Sequence, residues 1–366
     1  VCIPVLADTV IFDSNSFTAA GGNVTLTQDA GVRYMLWTSG VKGDPSFVNS
    51  GTRNFTIYND LVIDGAMNWN ITGWTRVEHS FYSNADVDWN STNWMYFYSD
   101  STDCIVDHNG MNFNGSSYFH RLGNSSFPGW SLASDYRGNI DRDWQFHWGK
   151  FTTNGHNMTA GYRFWSWTGN ARAFDFSGTD SIRVRRGWEL YNGGLQSYAF
   201  DSTTTMYFIT PHSENMVINP GYQDIGNVVI DHNHNGGWNY IDFNYMNGNH
   251  VGDVTINAPG SNSYKMVRLY GYTDYGDFKV TNNGPQVNFY TYNNNTFHNV
   301  DLTTTYTANS NYSAYWECYN IDADTASFSQ GVDFYMPNTT PEFNRFLPET
   351  SCLKISRIRG ASYNSS

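Results

Sequence analysis

Five short segments in the second half of the chain share one pattern: a polar residue, an apolar residue, a variable residue and a second apolar residue. They are residues 227–230 (NVVI), 253–256 (DVTI), 277–280 (DFKV), 299–302 (NVDL) and 320–323 (NIDA). Their starts lie 26, 24, 22 and 21 residues apart, and Gly226, Gly252 and Gly276 precede the first three. Side chains alternate across an extended chain, so each copy puts two apolar residues on one face. One inward column is then Val228, Val254, Phe278, Val300 and Ile321, and the other is Ile230, Ile256, Val280, Leu302 and Ala323. Val229, Thr255, Lys279 and Asp301 face outward between them, mixed in character as a solvated or partner-facing surface is.

A second β-rich run follows 10 to 13 residues after the start of each of the first four copies: WNYIDF from Trp238, MVRLY from Met266, VNFYTY from Val287 and YSAYW from Tyr312. The intervals hold turn residues, including Asn235-Gly236, Asn283-Gly284, Pro259 and Pro285. A unit of two or three short strands cannot bury its apolar face by itself. Stacked copies give one continuous core and pair each strand with the turns above and below it. The period predicts a β-solenoid, regular over 226–323 and extended by inference over 51–335. Residues 1–50 are expected to form N-terminal strands or a cap, and 336–366 a non-repeating tail broken by Pro337, Pro341 and Pro348. Upstream echoes at 54–57 (NFTI), 60–63 (DLVI), 103–106 (DCIV) and 181–184 (SIRV) are irregularly spaced. Aromatic runs between them, WMYFY from Trp94 and YRFWSW from Tyr162, read as strands of a more decorated part of the stack.

On these repeats the chain resembles the right-handed parallel β-helix family. In that family an Asn or Asp before an apolar-x-apolar strand marks a turn, and like side chains stack from one turn to the next. The resemblance implies an all-β fold. Size, Asn and Tyr richness and sparse Cys resemble β-helical surface proteins of archaea, in character a methanogen sheath or surface-layer subunit.

Composition supports the strand reading. The chain of 366 residues is 40% hydrophobic and 17% aromatic, and its helix-forming residues never build a helical run. A net charge of −13 opposes any role that rests on neutralising phosphate or anionic lipid, which argues against a nucleic-acid partner. No stretch is apolar enough to predict a membrane span. Cys2, Cys104, Cys318 and Cys352 lie far apart without C-x-x-C spacing, so disulfides are expected, within or between subunits, with three pairings open. Cys2 with Cys352 and Cys104 with Cys318 is one of them. Val1 opens the chain without Met, as expected of a product whose signal peptide has been removed. Extracellular location makes eleven N-x-S/T sequons glycosylation candidates: Asn23, Asn54, Asn70, Asn90, Asn114, Asn124, Asn157, Asn294, Asn311, Asn338 and Asn364. Chance supplies roughly 8 such triplets at this composition, so their number adds little.

Parallel β-helices include polysaccharide lyases and hydrolases, but the residues that such chemistry needs are not assembled in this sequence. There is no Asp-Asp pair and no Gly-His-Gly element, and Arg357-Ile358-Arg359 matches the hydrolases' basic triplet only loosely. Residues 228–233 (VVIDHN) and 105–109 (IVDHN) are similar to the I-D-H stretch of pectate lyases, yet no Arg-x-Pro-x-x-Arg follows. His232 and His234 share a side of an extended segment beside Asp231, which reads as a solvated loop. Outward Asp253 and Asp277 are the candidates for calcium; no other cofactor and no catalytic residue is expected. The expected function is an extracellular structural protein that polymerises with itself into a sheath, surface layer or filament. The alternative is a glycan-binding or polysaccharide-processing β-helix such as an adhesin, tailspike or lyase, in which outward aromatic residues stack on sugars.

Overall fold

Runs of two to ten residues rich in Val, Ile, Phe, Tyr and Trp form strands throughout the described residues, separated by Gly- and Asn-bearing bends. No helix occurs among the described residues. The computed structural model describes residues 6–17, 22–123, 127–167, 169–210, 215–232, 238–244, 248–258, 264–284, 287–292, 295–304, 314–318, 322–328, 331–336 and 354–360, with side chains as far as Leu302. The chain divides into two units, Val1–Ile182 with Gly193–Ala199, and Arg183–Asn192 with Phe200–Ser366. In each unit, strands pair in parallel with the strand one turn later. The all-β chain is therefore a parallel β-solenoid, of about 11 turns.

The first unit has three parallel sheets. One contains nine strands, from Thr9–Phe12 through Tyr34–Trp37, Leu61–Ile63 and on to Leu195–Ala199, and a second contains four, from Asn23–Leu26 to Val87–Trp89. The third passes through Ala30–Val32, Phe55–Ile57, Thr75–Val77, Trp94–Ser99, Ser116–Arg121, Asp143–Phe146 and Met158–Ser166. Register along it is regular: Val32 pairs Ile57, Ile57 pairs Val77, Val77 pairs Phe97, Phe97 pairs Phe119 and Phe119 pairs Phe146, all of them buried. The core of this unit is built from rings. Phe97 stacks on Phe119 at 4.5 Å, Trp144 on Phe164 at 4.6 Å and Trp69 on Trp89 at 4.9 Å, offset ring contacts that add to area burial.

The upstream echoes are irregular in sequence because they belong to different sheets. Residues 54–57 contribute to the third sheet, whereas Leu61–Ile63 and Cys104–Asp107 lie in the nine-stranded one. Parallel pairing also begins at Thr9 and Asn23, inside the stretch expected to form N-terminal strands or a cap. Lys354–Gly360, in the expected non-repeating tail, pairs in parallel with Gly331–Met336.

The second unit contains the regular repeat. Val228, Val254, Phe278 and Val300 pair in register, as do Ile230, Ile256, Val280 and Leu302, and all eight are buried. The column begins one turn earlier than the motif suggests, since Met206 and Phe208 of Thr205–Thr210 pair with Val228 and Ile230. The fifth copy is shifted. Val300 pairs with Ala326 and Leu302 with Phe328, while Ala323 pairs with Phe297; Ile321 lies outside the described residues. Asp322–Phe328 holds a second apolar-x-apolar window, Ala326 and Phe328, and the strand pairs in that register from Thr296 to Leu302. The second β-rich runs form their own parallel stack, with Ile241, Val267, Phe289 and Trp316 in one line.

The Gly-Asn/Asp element of the repeat has a local cause. Asn227 Oδ1 accepts the backbone N–H of Asp253 at 3.0 Å, and Asp253 Oδ1 accepts that of Asp277 at 2.9 Å. Each carbonyl or carboxylate thus caps the next turn. A Cβ at Gly252 would lie 2.6 Å from Asn227 Oδ1, and one at Gly276 would lie 2.5 Å from Asp253 Oδ1, so glycine leaves the room that the ladder occupies. The first unit uses the same device: Asp29 Oδ1 accepts from Asn54 N, Asn54 Oδ1 from Trp74 N, and Asp135 Oδ1 from Asn157 N.

Candidate functional site

The outward face of the third sheet in the first unit carries a continuous array of rings. Alternation sends Met95, Phe97 and Phe119 inward, so Trp94, Tyr96, Tyr98, Tyr118 and His120 point out. Register places Tyr96 beside Arg76 on one side and Tyr118 on the other, Tyr98 beside His120, and Gln145 between Tyr118 and Trp165. Tyr96 meets Tyr118 at 5.3 Å, Tyr118 stacks on His147 at 4.4 Å, and His147 stacks on Trp167 at 6.2 Å. Trp165 meets Trp167 edge-on at 4.7 Å. Trp167 is 47% exposed, the most open ring of the array, while the others are half-buried against one another.

Guanidiniums lie across this array. Arg76 sits 4.6 Å above Tyr98, Arg163 4.6 Å above Trp165, and Arg121 3.5 Å above Trp148. Two are ion-paired as well, Arg76 with Glu78 at 2.6 Å and Arg163 with Asp143 at 3.5 Å. Burial pushes the Tyr118 phenol up to about 12, with Tyr98 and Tyr96 adding to the shift. It draws His147 down to about 4, helped by His120 and Arg172, so that ring is neutral at pH 7.

A cleft adjoins the array at the bend between the third and nine-stranded sheets, lined by Arg33, Tyr58, Asn59, Glu78, His79 and Asp100 among others. His79 Nδ1 contacts Asp60 Oδ1 at 2.6 Å. Burial raises the Glu78 carboxyl above its usual range; Arg76 opposes that shift and Asp100 adds to it. Since Arg76 bonds Glu78 and covers Tyr98, cleft and rings are one surface.

The residues singled out in the sequence have other settings. Asp253 and Asp277 are engaged in the turn ladder, and Asp277 Oδ1 also contacts Asn299 Nδ2 at 2.7 Å and His298 Nδ1 at 2.6 Å. Among the described residues no group of three or more His, Cys, Asp or Glu side chains has the arrangement of a metal site. Asp231 is exposed and accepts from Asn257 Nδ2 at 3.0 Å, while His232 is buried 3.1 Å from Lys265 Nζ. Burial brings the Lys265 ammonium down to about 8. His234 lies outside the described residues. The ring of His108, from the second I-D-H-like stretch, is buried among Phe81, Phe113 and Tyr136 with neither nitrogen hydrogen-bonded among the described residues, and desolvation lowers it to about 3.

Cys104 is a free, buried thiol whose Sγ lies 3.0 Å from Ser99 Oγ, and burial pushes it up to about 11. Cys2 and Cys352 lie outside the described residues, as does the side chain of Cys318. Among the sequons, Asn23, Asn70 and Asn90 are exposed. Asn54, Asn114 and Asn157 are half-buried within turn hydrogen bonds, and Asn124, Asn294, Asn311, Asn338 and Asn364 lie outside the described residues. No helix among the described residues is long and apolar enough to cross a membrane.

Sequence reasoning missed the ring array as a surface because a strand such as WMYFYS contains rings at both parities, and only register separates core Phe97 from outward Tyr96 and Tyr98. Fold and surface together define a class, the parallel β-solenoid with an aromatic outer face. Compared with known proteins, the chain matches no family model, no curated protein and no solved structure.

Proposed function

We propose that this chain is an extracellular structural protein that assembles with copies of itself into a cell-envelope sheath, surface layer or filament, in the manner of an archaeal surface protein. The observation that carries the reading is a parallel edge in the first unit that no second strand pairs among the described residues. Thr9–Phe12 is the terminal strand of the nine-stranded sheet and pairs on one side with Tyr34–Trp37. Ile11 within it is 54% exposed and Leu6, shortly before it, is 59% exposed. Unpaired strand backbone flanked by exposed apolar side chains is a template for another chain, and proteins that remain monomeric blunt such edges with charge, proline or a cover. Export and glycan attachment at Asn23, Asn70 and Asn90 belong to the same proposal, as do disulfides between subunits.

Sedimentation and electron microscopy of the purified chain test it. Ordered, concentration-dependent assemblies are expected, and Ile11→Lys, which places a charge on the edge, should shift the chain toward monomer without lowering its melting temperature. A chain that stays monomeric at high concentration, or assemblies that Ile11→Lys leaves intact, would contradict the edge as the contact.

A further inference from the structure

We propose that Tyr270 and Tyr292 form a modification site, the two halves of an oxidative dityrosine cross-link between adjacent turns of the second unit. The sequence holds 26 tyrosines, and geometry selects this pair. The two rings stack with centroids 4.6 Å apart and planes within 8° of parallel, an overlap that brings the ring carbons beside each hydroxyl close to those of the other ring. Backbone pairing holds the residues there. Tyr270 N–H donates to the Phe243 carbonyl at 2.9 Å and Tyr292 N–H to the Leu269 carbonyl at 3.1 Å, so the two occupy equivalent positions one turn apart. The residues before them, Leu269 and Thr291, pair in register and are buried, and alternation turns Tyr270 and Tyr292 outward. Tyr292 is 42% exposed and Tyr270 is half-buried, within reach of an oxidant in solution.

The tyrosines of the first unit's ring array are arranged differently. Tyr96 meets Tyr118 at 66° and Tyr98 at 80°, which aims the edge of one ring at the face of the next. Burial also raises all three phenols, so they part less readily with the proton that leaves when a phenol is oxidised. Tyr290, two residues before Tyr292, lies farther from it than Tyr270 does, at 6.3 Å.

The oxidant is hydrogen peroxide acting through a peroxidase, both supplied from outside the chain. Each phenol gives up one electron and its hydroxyl proton, and the resulting phenoxyl radical shares its unpaired spin with the ring carbons beside the oxygen. The two radicals join through one such carbon from each ring. The hydrogens on those carbons then move to the oxygens and restore both phenols. Two electrons and two protons leave in all, and they reduce one peroxide to two waters. Tyr270 and Tyr292 are 22 residues apart, so the bond closes a loop between neighbouring turns and restricts the unfolded chain as a disulfide does. It joins two turns of one chain and is independent of assembly through the sheet edge.

The test treats the monomeric fraction of the full chain with a plant peroxidase and an equimolar amount of hydrogen peroxide. Dityrosine fluorescence is expected, in a chain that has lost two hydrogens and still runs as a monomer under denaturing conditions. Peptide mapping by mass spectrometry should place the link between Tyr270 and Tyr292. Tyr270→Phe and Tyr292→Phe keep the ring and its packing, and each should reduce the fluorescence to background. Tyr272→Phe, at a nearby ring that is 55% exposed, should leave the link intact, which separates selection by geometry from selection by exposure. Absence of dityrosine, a link that joins two copies or other tyrosines instead, or a yield that Tyr292→Phe leaves unchanged would overturn the proposal.

Discussion

Gly226 sits where backbone approaches backbone: a Cβ there would lie 2.3 Å from the Thr204 carbonyl oxygen and 2.8 Å from that of Asp201. Gly226→Ala must therefore displace main chain, and a loss of about 2–4 kcal/mol is expected in urea unfolding. Val254 is fully buried between Val228 and Phe278, so Val254→Asp puts an unpaired charge into the column. Loss of the cooperative transition, or several kcal/mol of stability, is expected. His108 gives a pH signature. Its folded-state value, about 3, is below the ordinary 6.5 because burial disfavours the cation. The unfolded chain therefore binds the proton first, and this contribution to stability is complete above pH 6.5 and is lost as pH falls toward 3. His108→Phe should flatten that part of the curve of stability against pH, and a slope identical to the parent's would contradict the buried, neutral assignment. The apolar identity of Val228, Val254 and Ile256 made their column legible in the sequence. The setting of His108 was not, because two of the three rings that surround it, Phe81 and Tyr136, come from the neighbouring turns on either side.

At the scale of the element, the unit of construction is a short strand preceded by a side chain that caps the next turn. Asp253 illustrates it, and two substitutions separate the ladder from calcium binding. Asp253→Asn keeps the oxygen that accepts Asp277 N–H and should be near neutral, while Asp253→Ala leaves that donor to water and should cost about 1 kcal/mol. A site that relied on the carboxylate charge for calcium would instead show a large loss in Asp253→Asn and a calcium-dependent melting temperature. The repeat was legible wherever Asx, Val and Ile recur on one sheet. It was illegible in the first unit, where phenylalanine and tryptophan replace the aliphatic pair and neighbouring motifs such as residues 54–57 and 60–63 lie on different sheets. The fifth copy misled for a further reason. Residues 320–323 fit the motif, but the strand they enter runs to Phe328, and pairing along its whole length outweighs a local pattern.

At the scale of the molecule, both units rest on the same principle of stacked parallel turns around an apolar core, rich in rings in one and mainly aliphatic in the other. Edge pairing in the first unit depends on backbone groups at Thr9–Phe12, while the ring array lies on the outward face of the third sheet. Neither was visible as a surface in the sequence, since both depend on which strand is last and which parity faces out. In-register parallel stacking is the claim on which all of this depends. Spin-label pairs at Thr255 with Lys279 in the second unit, and at Ser131 with Thr152 in the first, test it most directly, because each pair occupies facing outward positions on adjacent strands. Strong dipolar broadening in both doubly labelled chains, absent from the single labels, is predicted from a strand spacing of about 4.8 Å. Spectra of the double labels that equal the sum of the singles would contradict the solenoid.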